Sequence, residues 1–180
     1  MKPEGWNILA TAKDRDQRHL ARRLKRFGDF HWTAFRGVLI GRVEDQEAFL
    51  EQLLRCEEAE PGFLGPLAKL VPINQTFEFT VETFPTRLKE AILPYAERLG
   101  SGSFYVRIER RGHAGELHSQ HLEQEMDQAL GDAIRAGGGM PRIDFKDPDA
   151  IVVAETLGDL CGVGMITRAM RSRFPFVHVP

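Results

Sequence analysis

Apolar residues in this 180-residue chain recur with two periods, and each period predicts a different element. Trp6–Ala10 reads as a short strand. Asp14 and Gln17 have the spacing of a capping box and predict that a helix begins there. Leu20, Leu24 and Phe27 form its buried stripe, and Gly28 ends it. Arg15, Arg18, Arg22 and Lys25 or Arg26 recur on the opposite side as a basic ridge. His31–Val43 holds two strand-like pieces, with Phe35-Arg36-Gly37 as a turn or bulge and Val38 and Ile40 on the alternating face. A second helix covers Asp45–Arg55, burying Phe49, Leu50, Leu53 and Leu54. Lys69–Thr80 resumes extended structure, interrupted by Pro72. The resulting order is β-α-β-(β)-α-β, that of a ferredoxin-like layer of helices on one sheet face.

From Glu82 onward the two periods alternate again. Phe84, Leu88, Ile92, Tyr95 and Leu99 mark a helix over Pro85–Leu99, where Pro85 suits the first turn and Pro94 implies a kink or early stop. Phe104–Arg110 is a strand with Phe104, Val106 and Ile108 on one face and Tyr105, Arg107 and Glu109 on the other. Ser119 caps a helix running to Ala136, with Leu122, Met126, Ala129, Leu130 and Ala133 inward. Arg142–Phe145, Asp149–Thr156 and Cys161–Ile166 read as strands, and Thr167–Arg173 as a short terminal helix. The fold class is therefore α+β, in two domains: residues 1–72, ferredoxin-like, and 73–180.

Composition narrows the class little further. A hydrophobic content of 42% supports a packed core, and 28% charged residues is ordinary for a soluble protein. No apolar run approaches a membrane span, and no apolar h-region follows the Met-Lys-Pro-Glu-Gly-Trp start, so neither membrane nor secretion is expected. Cys56 and Cys161, far apart in sequence, suggest reduced thiols in a cytoplasmic setting. The net charge of −2 conceals blocks of opposite sign. Residues 1–42 hold ten Lys/Arg against four Asp/Glu, residues 43–66 one against seven, and residues 67–180 thirteen against fifteen. A polyanion responds to the local field, so the basic block remains a candidate surface beside the bland alternative of a solvated helix face.

Catalytic chemistry finds little support. Cys161-Gly162-Val163-Gly164 lacks the third glycine of a dinucleotide loop and the Gly-Lys-Ser/Thr of a phosphate loop. His118 and His121 stand at i, i+3 without a second ligand pair, which argues against zinc. No nucleophile, base or cofactor motif is present, so no catalytic residue, metal or cofactor is assigned.

The second half carries a family resemblance. Phe104–Gly112 looks like a strand followed by basic residues, Ser119, Leu122 and Glu123 like a helix start, and Arg142–Asp149 like a "V-D-L-x-x-P-D" turn. Ile151–Glu155 and Cys161–Ile166 then look like the strands that follow. Together these segments resemble the THUMP domain, an RNA-binding module of several tRNA-modifying proteins. Pro72-Ile73-Asn74-Gln75-Thr76 is similar to the entry segment of stand-alone THUMP adaptors, which present tRNA to an N4-acetylcytidine-forming acetyltransferase; known adaptors are longer and more basic. The resemblance implies a non-catalytic, cytoplasmic tRNA-binding adaptor that holds the acceptor end with its single-stranded 3′ terminus for a partner enzyme. A protein–protein scaffold, favoured by the acidic stretch Glu44–Glu60, and a subunit of another RNA-modifying enzyme remain as alternatives.

On that reading Arg107, Arg110, Arg111 and His113 grip phosphate where a strand runs into a loop, and Arg168, Arg171 and Arg173 add contacts from the terminal helix. Lys146 touches RNA from the turn. Asp144, Pro148 and Asp149 shape that turn, since carboxylates repel phosphate. Trp32, Phe35 and Tyr105 are candidates to stack on unpaired bases or to fill the core. The bland alternative for the arginines is a solvated surface paired with Glu109 or Glu116.

Overall fold

A computed structural model describes residues 5–14 and 16–180; the first four residues, and Arg15 of the basic ridge, lie outside the described residues. The chain forms two compact units. One runs to Ile73 and takes in Met170–Pro180, and the other is Asn74–Ala169.

The first unit follows the β-α-β-β-α-β order: β1 (Ile8–Ala12), α1 (Gln17–Leu24), β2 (Asp29–Trp32), β3 (Val38–Arg42), α2 (Gln46–Ala59) and β4 (Leu67–Pro72). The sheet order is β2-β3-β1-β4, antiparallel throughout, with Leu9 of β1 opposite Ile40 on one side and Val71 on the other. The two helices show what an N-cap requires. Asp45 has extended backbone (φ −134°, ψ 115°), and its Oδ1 accepts from the Ala48 N–H at 2.9 Å. The box expected at Asp14 does not form. Helix α1 starts three residues later behind Asp16, whose ψ of 15° keeps its carboxylate from making any cap bond. Helix α2 runs a turn beyond its expected end because Glu57 accepts from the Gly62 and Leu64 N–H groups, at 3.0 and 2.6 Å, and ties down the turn that follows. On the far side of that turn Arg23 donates to the Gly62 and Phe63 carbonyls, with its guanidinium 5.2 Å from the Phe63 ring centre.

The C-terminal segment returns to this unit rather than staying with the second domain, where the sequence put it. The Leu70 N–H donates to the Phe176 carbonyl at 2.9 Å, Val177 bridges to Leu70, and Arg173 grips Glu51.

The second unit comprises β5 (Gln75–Glu78), α3 (Phe84–Ile92), α4 (Tyr95–Leu99), β6 (Ser103–Glu109), α5 (Ser119–Ala136), β7 (Arg142–Ile143), β8 (Ala150–Leu157) and β9 (Leu160–Thr167), with α6 (Arg168–Arg173) running on from β9. Pro94 splits the expected Pro85–Leu99 helix into α3 and α4 because it has no N–H to continue the ladder. The sheet order is β5-β9-β8-β6-β7, with β6 parallel to both β8 and β7 and the remaining pairs antiparallel. Phe104, Val106 and Ile108 pack with Leu122, Met126, Leu130 and Ile134 of α5 and with α3 and α4, forming one core on a single face. Asn74 pins the entry to this unit: its N–H donates to the Val163 carbonyl at 2.8 Å, and its side-chain oxygen accepts from Tyr95 Oη at 2.9 Å and the Met165 N–H at 3.3 Å. Burial pushes the Tyr95 phenol up to about 12, so it remains a donor at any working pH.

In the first sheet Gly41 stands opposite Phe30, and a Cβ there would overlap the Phe30 ring. Gly41→Ala is expected to lower stability by about 2 kcal/mol, read from the urea midpoint. An unchanged midpoint would show that the ring is not seated on the β3 backbone.

Candidate nucleic-acid interface

Strand β6 has an open edge, and the site grows from it. Strand β7 pairs only with Ser103 and Phe104, leaving the outward N–H groups of Val106 and Ile108 without a strand. Carboxylates from α5 replace it: Val106 donates to Asp127 Oδ1 at 2.7 Å and Ile108 to Glu123 Oε1 at 2.8 Å. An unmet N–H at a sheet edge costs stability and invites foreign strands, so these two contacts both cap the edge and fix α5 along it. Burial pushes the Asp127 carboxyl up to about 6; the Val106 N–H opposes that rise and the nearby Glu123 adds to it.

The segment after β7 is turned outward by its own aspartates. Asp144 Oδ1 accepts from the Lys146 and Asp147 N–H groups at 2.8 and 3.0 Å, which holds its carboxyl below the usual range. Asp149 accepts from the Ser103 N–H at 2.7 Å and returns its own N–H to Ser103 Oγ at 3.0 Å, which ties the far end of the turn to the start of β6. Asp144 and Asp149 thus shape the turn as expected. Between them Phe145 is left 70% exposed, with Ile143 at 44% and Met140 at 76% nearby in sequence. The Phe145 ring is 5.5 Å from that of Tyr105, and the Arg107 guanidinium lies 5.8 Å from the Tyr105 ring. Tyr105 is therefore a buried backing for an exposed ring.

Few of the expected phosphate-gripping residues are free to do so. Arg111 sits in a near-buried ion pair with Glu155, at 16% and 0% side-chain exposure. Its backbone N–H donates to Thr156 Oγ1, and its carbonyl accepts from Gly158. His113, at a left-handed φ of 50°, is bridged between Glu116 and Asp159 at 3.0 and 2.8 Å, and both carboxylates raise its pKa. Arg110 donates to the Gly112 carbonyl and borders an open depression with His118 and His121. Arg107 stands 4.0 Å from Glu123, and its buried Nε has no hydrogen-bond partner. Arg168 bonds the Asp147 carbonyl and stands 3.1 Å from Asp149. Arg173 pairs with both oxygens of Glu51 at 3.0 and 2.9 Å and, with the partly buried Arg171, lies in the first unit. Lys146 is exposed. The structure brings Arg107, Lys146 and Arg168 around the Phe145 turn, and it leaves Arg110, Arg111 and His113 at the other end of β6.

Sequence reading missed Phe145, Ile143 and Arg142. The signal was available: an apolar pair alternating with Arg142, Asp144 and Lys146 between a glycine run and Pro148 is too short and too charged for an interior strand. In the first unit, Arg18, Arg22, Lys25 and Arg26 are exposed along α1, with no acidic partner among the described residues. Trp32 is exposed and Phe35 partly so. Burial drives the Cys161 thiol upward, away from nucleophile chemistry. Among the described residues no cluster of three or more His, Cys, Asp or Glu could hold a metal ion, and no helix is long and apolar enough to cross a membrane.

Residues 80–165 match the family model of the THUMP domain. No curated protein matches the chain. Among solved structures it is similar to PH1313 from Pyrococcus horikoshii Ot3 (TM-score 0.60, 14% identity, 89% of this chain and 54% of that one). It is similar to TrmN from Thermus thermophilus (TM-score 0.60, 22% identity, 89% and 45%). A 4-thiouridine synthetase in complex with RNA and bound ATP is also similar (TM-score 0.54, 12% identity, 91% and 42%). At these identities the likeness is one of fold, and the chain spans about half the length of the structures it matches.

The Asp127 contact has a pH signature. Its folded pKa of about 6 lies above the ordinary 3.8, so ionising it disfavours the folded state. That penalty is absent below the unfolded pKa and complete once pH exceeds about 6. Asp127→Asn keeps an acceptor for the Val106 N–H and removes the charge. It is expected to raise stability by about 1–2 kcal/mol above that pH, the gain vanishing toward pH 4, in urea unfolding at both extremes. A gain independent of pH, or a loss at high pH, would contradict a desolvated carboxylate there.

Proposed function

We propose that this chain, which carries a THUMP domain over residues 80–165, binds tRNA as a non-catalytic adaptor in tRNA modification. It holds the acceptor end with its single-stranded 3′ terminus while a separate enzyme, such as an N4-acetylcytidine-forming acetyltransferase, acts on the tRNA. The THUMP match is the observation that carries RNA binding. The geometry supports two kinds of contact. Exposed cations along α1 of the ferredoxin-like first unit are suited to phosphate oxygens, since binding at Arg18 and Arg22 breaks no ion pair among the described residues. The Phe145 turn of the second unit, with Lys146 and Arg142 beside it, is suited to an unpaired strand. Two free thiols fit a cytoplasmic setting.

A second reading, one subunit of a larger RNA-modifying enzyme, is favoured by the chain's covering about half of structures that include a synthetase. The scaffold reading rests on the acidic stretch Glu44–Glu60, of which Glu51 and Glu57 are engaged within the first unit.

Filter binding of tRNA, intact and trimmed of its unpaired 3′ end, at low and moderate salt tests the proposal. Binding should weaken with salt and with trimming, and Arg18→Ala with Arg22→Ala should flatten the salt slope by about 1.5–2, one step per phosphate contact. Salt-independent or absent binding favours the scaffold, and modification of the tRNA by the purified chain alone refutes the adaptor role.

A further inference from the structure

A small cavity lies at the open edge of β6. Its volume is about 230 Å³, and it is bounded by Phe104, Gln124, Asp127, Gln128, Arg135 and the exposed ring of Phe145. Pockets for drug-sized ligands run to about 300–1,000 Å³, so this one has room for a single planar ring. Its walls divide by chemistry. Phe145 supplies the exposed aromatic face, while α5 presents the Gln124 amide, the Asp127 carboxyl, and the Gln128 amide and Arg135 guanidinium that both donate to Asp132. The Asp144 turn fixes the backbone on either side of Phe145, and the ring is backed by Tyr105 at 5.5 Å.

From this arrangement we propose that the cavity is a receptor for one unpaired nucleobase, stacked on Phe145 and read at its edge by Gln124, Asp127 and Gln128. The proposal rests on the RNA-binding reading above and adds to it the site, the residues and the kind of base. A base fits because an apolar slot with a polar wall rewards a flat ring that carries donors and acceptors along one edge. Asp127 already accepts from the Val106 N–H and, while ionised, offers only acceptors, so an exocyclic amino group is favoured and a carbonyl at the same place is repelled. The pocket therefore selects adenine or cytosine over uracil. Neighbouring cations match a ribose-phosphate strand leaving the slot: Lys146 follows Phe145 directly, and Arg142 stands 68% exposed, 3.7 Å from Asp149. The same slot would reject a base inside a duplex, whose Watson–Crick edge is engaged and whose faces are stacked.

Fluorescence anisotropy with the full chain and two labelled RNA hairpins, one blunt and one with a short single-stranded overhang of A, C or U, tests this. Wild type should prefer the overhang, with A and C above U. Phe145→Ala should weaken overhang binding by about tenfold or more and leave the blunt hairpin unchanged, in line with about 1–3 kcal/mol for stacking one base. Phe145→Trp should retain the preference, and Gln128→Ala should narrow the difference between A or C and U. Because Phe145 is 70% exposed, its loss leaves the core intact. If both hairpins bind but Phe145→Ala changes neither, or both equally, the base receptor is refuted and RNA binding stands. If wild type binds neither hairpin, the RNA-binding reading fails and the receptor falls with it.

Discussion

Two backbone N–H groups without a strand to bond organise the second unit. Val106 and Ile108 sit where the sheet runs out, and α5 answers them with Asp127 and Glu123. This solution has consequences in both directions. Inward, it locks the helix against β6 so that Leu122, Met126, Leu130 and Ile134 fill the core. Outward, it places a carboxyl and two amides beside a gap that a longer β7 would have closed. The edge is thus capped against foreign strands and still open to something smaller than a strand.

Most of the side chains expected to grip phosphate are spent internally. Arg111 neutralises the buried Glu155, His113 bridges Glu116 and Asp159, Arg168 closes on Asp147 and Asp149, and Arg173 grips Glu51. Breaking a buried pair such as Arg111–Glu155 to reach a phosphate would forfeit several kcal/mol, far more than one exposed phosphate contact returns. On the proposed function, a net charge of −2 and recognition of a polyanion are compatible if phosphate contact falls to exposed cations such as Arg18 and Arg22 and stacking carries more of the selectivity.

Periodicity made the first unit legible almost throughout, because its strands and helices are amphipathic and their order admits few topologies. Boundaries were less legible where two residues competed for one role. Asp14 with Gln17 has the spacing of a capping box, yet Asp16 holds the cap position with the wrong ψ to act as one. Pro94 was readable because a missing donor is a property of the residue itself. Arg111 and His113 illustrate the opposite case: their partners Glu155 and Asp159 are 44 and 46 residues away, and no local pattern foretells which side chain will be consumed. Phe145 was placed in a strand, Arg142–Phe145, that in the structure ends at Ile143. A hydrophobic residue in a short apolar run looks like core until the Asx turn around it shows that it faces water.

On the proposed function, RNA engages the α1 ridge of the first unit and the Phe145 turn of the second, with the α5 amides behind it. Titrating the isotope-labelled chain with tRNA and following amide and side-chain resonances tests this most directly. Shifts are expected to concentrate at Arg18–Arg26, at Ile143–Lys146 and at the Gln124 and Gln128 side-chain amides, while Arg111 and His113 stay still. Shifts centred on Arg110–His113 with Phe145 silent would contradict it.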